Sequence, residues 1–184
     1  LETFTQTKEF VDDPRYNKRR LESLSRLDIE TIDAPIAELI RELARLPYCF
    51  TLQSCYGHFL HGDQKNHKNI EPLPVSDSTA MVDYRIAYVA LCIQDNDTGR
   101  ALFDDLREFT EIDPEYIQFG CAEWFWRTHP NSYALQVEPQ RHMYKDSVSV
   151  SYQEALHIEA TRNKFFGMLE DLIHGKLKSN SIIS

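Results

Sequence analysis

The chain has 184 residues, a formal charge of −9, and a composition 42% hydrophobic and 11% aromatic, which excludes a disordered chain and suits one domain, 1–184, with a full core. No stretch approaches about 18 consecutive apolar residues, so no membrane-spanning helix is expected, and the polar, acidic start predicts no secretory signal. The acid excess opposes broad binding to nucleic acid or to anionic membrane.

Residues 1–27 are charged, and a basic cluster, Arg15, Lys18, Arg19 and Arg20, precedes Leu21, Leu24 and Leu27. That spacing predicts a short amphipathic helix on its leucines, its basic side solvated or offering a local patch for phosphate. Asp33 is placed to cap a second helix, with Pro35 in its first turn. Ile36, Leu39, Ile40, Leu43 and Leu46 form its apolar stripe, and Pro47 ends it. A strand over 48–55 follows and closes at Gly57. Residues 59–78 lose all periodicity and read as a long loop.

One long strand is predicted over 81–93, alternating at first and wholly apolar later. A helix opens after the turn at 95–99 and ends near Asp113-Pro114. Residues 115–126 and 132–137 read as two more strands joined by a tight link at His129-Pro130-Asn131. Ser151 opens a last helix that Gly175 ends, leaving 176–184 as a flexible tail. The fold class is α+β, a mainly antiparallel sheet with helices packed on one face. Cys49, Cys55, Cys92 and Cys121 form no CxxC pair. They are expected to be free thiols, which points to a reducing, cytoplasmic setting.

The densest polar feature is the turn from Ser54 to Gly62. Gly57 allows positive φ or close approach of a ligand, and His58 titrates near neutrality beside the Cys55 thiol. Three chemistries fit it. Cys55, His58 and His61 can ligate zinc, with Cys49, His67, Cys121 or His129 as a fourth ligand. Cys55 can be a nucleophile activated by His58. The turn can also hold a small polar ligand such as a phosphate or carboxylate. In a second cluster Trp124 and Trp126, two apart on a strand, share a face that can stack a planar ring, with Arg127 and His129 at its edge. In a third, Glu138 and His142 can form an acid–base pair.

In order, these clusters resemble the tRNA wybutosine-synthesis protein 3 family. That family has a Ser-Ser-Cys-Ser-Gly-Arg turn, a Trp-containing strand ending in Ser/Thr-His, and a Phe-Glu-Pro strand with a His nearby. The matching positions are Ser54, Cys55 and Gly57, then Trp124, Thr128 and His129, then Glu138 and Pro139 with His142 close. Gln53, Tyr56 and His58 depart from the pattern. The resemblance implies an α+β domain, S-adenosylmethionine as cofactor, and methyl transfer to a modified guanosine of tRNA. Ser54, Cys55 and His129 would then be catalytic, and Gly57, His58, Trp124, Trp126, Arg127, Glu138 and His142 would bind substrate. The other expectations are a small-ligand or protein-binding module without catalysis, open to homo-oligomerisation, and a zinc protein.

Overall fold

The computed structural model describes residues 4–75, 80–142 and 146–182. The elements in chain order are β1 (Phe4–Thr5), α1 (Tyr16–Arg26), α2 (Ala37–Arg45), β2 (Cys49–Cys55), β3 (His58–Leu60), β4 (Met81–Arg85), β5 (Ala87–Ile93), α3 (Asp97–Glu108), β6 (Ile117–Ala122), α4 (Glu123–Thr128), β7 (Ser132–Val137), β8 (Ser147–Ser151) and α5 (Tyr152–Ile182). Two antiparallel sheets form, one in the order β1-β6-β7-β5-β2 and one in the order β3-β4-β8. The fold is α+β. Among the described residues no helix is long and apolar enough to cross a membrane.

The expected stripe of α2 is the inner wall of the core: Ile36, Leu39, Ile40, Leu43 and Leu46 are all buried. They belong to one continuous core with Val89, Leu91 and Ile93 of β5, Leu135 and Val137 of β7, and Phe165 and Leu169 of α5. α1 departs from its leucine pattern. Leu21 is 66% exposed, and the helix docks through Tyr16, Arg20 and Ser23, spaced i, i+4, i+7 on one face. Tyr16 donates to the Pro47 carbonyl, Arg20 to the carbonyls of Ala44, Leu46 and Cys49, and Ser23 to that of Thr51. Arg20 thereby caps the C-terminal carbonyls of α2, where a cation is favoured. Arg19 pairs with Asp13 at 2.6 Å. Half of the basic cluster therefore serves packing.

The strand expected over 81–93 is two strands in two sheets, broken at Ile86. Met81–Arg85 alternates between exposed and buried, whereas Ala87–Ile93 is buried almost throughout. The Tyr84 hydroxyl accepts from the Ala87 N–H (2.9 Å) and donates to the Val137 carbonyl (2.8 Å), pinning the break. The partner ribbon bends at the same level, where β2 passes into β3 through Gly57 at φ 89°. A Cβ there would lie 2.9 Å from the Ala87 Cβ and 3.1 Å from the Tyr84 ring, so only glycine fits this corner. β3 occupies the start of the expected 59–78 loop; residues 76–79 of that loop lie outside the described residues.

The strand expected through Trp126 stops at Ala122. Gly120 stands opposite Ala134 in the β6–β7 ladder. Continued in that register, Trp126 would face Thr128, with Arg127 alone left to reverse the chain, and a hairpin needs at least two turn residues. The chain forms α4 instead and returns through Asn131 at φ 60°. The Asn131 amide anchors the return by bonding both the N–H and the carbonyl of Val11. At the other end Gly175 does not close the last helix, and the expected loose tail is helical as far as Ile182.

Candidate functional site

β2 carries side chains in two directions, as a strand must. Ser54 lines a groove of about 330 Å³ between α1 and the edge strand β2. Arg19, Ser23 and Arg26 of α1, Thr31 and Ile32 of the following turn, and Thr51 of β2 also line it, together with His129. Ser54 and His129 are 75 positions apart, so the fold brings the first and second sequence clusters together here. The Phe50 ring meets the His129 ring edge-on, and His129 Nδ1 lies 3.0 Å from the Thr128 hydroxyl. Burial, aided by the Arg19 charge, lowers the pKa of His129. Glu22 and Asp28 set acids against the two arginines of the lining.

Cys55 turns the other way. Its thiol, the Asp33 carboxylate and an imidazole nitrogen of His58 lie within 4.8 Å of one another. The His58 ring is clamped on both sides, with Nε2 3.2 Å from Asp33 Oδ2 and Nδ1 3.0 Å from the Asn69 carbonyl. The Asp33 bond, then Cys55 and the Asn69 carbonyl, outweigh burial and push the His58 pKa up to about 10. Burial pushes the Asp33 carboxyl up. The bonds from His58 and from the Tyr56 N–H (2.8 Å), with the charges of His58 and Arg85, bring it below its usual value. Arg162, 2% exposed, closes the corner. Its Nη1 donates to the Gly57 carbonyl at 3.0 Å, and its guanidinium lies 4.1 Å from the Tyr56 ring centre and 5.1 Å from that of Phe59.

The chain matches no protein-family model and no curated protein.

The expected aromatic clamp does not form. Trp124 and Trp126 sit on α4, where positions two apart point about 200° from each other. Trp124 is 55% exposed, while Trp126 packs on Tyr133 beneath the Lys8 ammonium. Arg127 is exposed and pairs with Glu123 at 3.3 Å. Glu138 is held by Gln136, whose amide donates to Oε2 at 3.0 Å. His142 sits in the short 3-10 turn that follows, its N–H bonded to the Pro139 carbonyl. Tyr84, beside Gly57, donates its hydroxyl to the carbonyl of Val137, the residue before Glu138.

Among the expected zinc ligands, Cys55 and His58 belong to the cluster and Asp33 completes it. His61 bridges to Gln64, His67 is exposed, and the Cys49 thiol points to the Leu43 carbonyl. Sequence reasoning misses Asp33 and Arg162. Asp33 reads as a helix cap, a role that its side chain does not perform. Arg162 interrupts the apolar spacing of Ile158, Phe165, Phe166 and Leu169 on α5, and a charge on a core stripe asks for a partner.

Proposed function

We propose that the protein binds a small zwitterionic molecule in the groove between α1 and β2. One observation carries this reading: Ser54 and His129, from distant segments, line a single groove in which Arg26 stands with Glu22 and Asp28, beside the Arg19–Asp13 pair. Opposed charges in one concavity suit a ligand that carries both signs, and hydroxyls of Ser23, Thr31, Thr51 and Ser54 add orienting bonds. S-adenosylmethionine, the cofactor implied by the family resemblance, has an amino-acid end of this kind and would supply an electrophilic methyl group. The share of this chain is to hold the zwitterion and, at the imidazole of His129, to accept a proton. Transfer to a modified tRNA base belongs to the same proposal, although the net charge of −9 favours a smaller acceptor.

The test is thermal unfolding with S-adenosylmethionine, S-adenosylhomocysteine and methionine, each titrated into the wild-type protein. A ligand at about 100 times its Kd stabilises the native state by about 2.7 kcal/mol, which raises Tm by several degrees. We expect a saturable rise with at least one of the three that Arg26→Ala abolishes. Unchanged Tm with all three at millimolar concentration refutes the proposal.

A further inference from the structure

Asp33, Cys55 and His58 meet where three segments converge: the approach to α2, the last residue of β2 and the first of β3. We propose that they bind one divalent transition-metal ion of the zinc class, with a fourth position left for water or substrate. This assignment is independent of the ligand in the groove.

Four features support it. The donor set, one thiolate, one imidazole and one carboxylate, is of the kind zinc prefers, and its two negative charges neutralise a dication. The spacing fits: oxygen and nitrogen donors at about 2.0–2.1 Å from a tetrahedral ion stand about 3.3 Å apart, and His58 Nε2 lies 3.2 Å from Asp33 Oδ2. The imidazole is oriented for ligation, because Nδ1 is committed to the Asn69 carbonyl and Nε2 faces the Asp33 carboxylate. A metal-bound histidine is ordinarily held by such a second bond. Finally, the donors are fixed before any ion arrives. The Tyr56 N–H grips Asp33, Gly57 permits the bend that brings His58 back toward Cys55, and both Cys55 and His58 are almost fully shielded from water. Arg162 does not compete for these donors, since its charge is directed at the Gly57 carbonyl and toward Glu159.

Chelator-stripped protein titrated with Co²⁺ should develop thiolate-to-metal charge-transfer absorption and visible bands of tetrahedral intensity, saturating at one equivalent. Zn²⁺ should displace the colour. Cys55→Ser, with its fold checked by circular dichroism, should lose the charge-transfer band, while Cys121→Ser keeps it. Asp33→Asn should weaken binding at least about 10-fold, since even indirect partners of a metal ligand cost that much. X-ray absorption of the Zn²⁺-loaded wild type needs no variant and should show one sulfur near 2.3 Å with nitrogen or oxygen neighbours at about 2.0–2.1 Å. A colourless Co²⁺ titration, a band that survives Cys55→Ser, or a zinc shell without sulfur would each overturn the assignment.

Discussion

Glu138 is 1% exposed, and its Oε1 has no hydrogen-bond partner among the described residues. Burial, with the nearby Asp146 charge adding to it, pushes its pKa up to about 8, whereas an unfolded glutamate titrates near 4.3. The folded protein therefore holds a proton that the unfolded chain releases across this interval. The stability tied to that proton is complete below about pH 4 and is lost as pH rises toward 8. Urea unfolding from pH 5 to 8 should show declining stability. Glu138→Gln should flatten that decline and stabilise the protein at pH 8 by about 1–3 kcal/mol, the scale on which an uncompensated buried polar group costs. A parent profile that rises across this range would contradict the assignment. At this scale the sequence was informative about chemistry and silent about partners. Local spacing points to Cys55 and His58, but the third member of their cluster lies 22 positions upstream of Cys55, and no periodicity links Asp33 to them. Glu138 stands out in the sequence as well, yet its burial depends on strands that the sequence does not order.

α2 was legible because a complete apolar stripe with a proline at its start admits one reading. α4 was not, because Glu123-Trp124-Phe125-Trp126 is as compatible with a strand as with a helix and only the β6–β7 register decides. The two tryptophans report that decision. As helix neighbours on opposite sides they should differ sharply: Trp124→Ala should change stability by no more than about 0.5 kcal/mol, as an exposed site does. Trp126→Ala, which strips contacts from Tyr133 and Lys8, should cost about 2 kcal/mol, somewhat below a fully buried aromatic. Equal losses in chemical denaturation would restore the strand reading. α5 outruns Gly175 for a related reason. His174 pairs with Glu42 at 3.1 Å, Lys176 pairs with Asp105, and Leu177 packs against the core, so tertiary contacts on both sides of the glycine offset its roughly 1 kcal/mol propensity penalty.

Across the whole molecule, the mixture of helices and antiparallel strands could be read from the order of periods, but the division into two sheets could not. It depends on a bend made twice, at Gly57 and at Ile86, and only the first carries a local signal. Arg162 joins the pieces that meet at that bend, linking α5 to the Gly57 carbonyl and covering the rings of Tyr56 and Phe59. Arg162→Ala should therefore cost about 3–5 kcal/mol, because it strands a buried carbonyl and removes a buried cation from its contacts. The loss should appear in one transition shared by circular dichroism and tryptophan fluorescence. A loss below about 1 kcal/mol would show that the two sheets do not depend on this contact.

All four cysteines are reduced and buried. A thiol-seeking reagent therefore meets an unreactive surface, and its rate of attack measures how often the protein breathes open rather than how reactive its sulfurs are. Cys55 and Cys49, at opposite ends of one strand, serve as separate clocks for the bend and for the floor of the core.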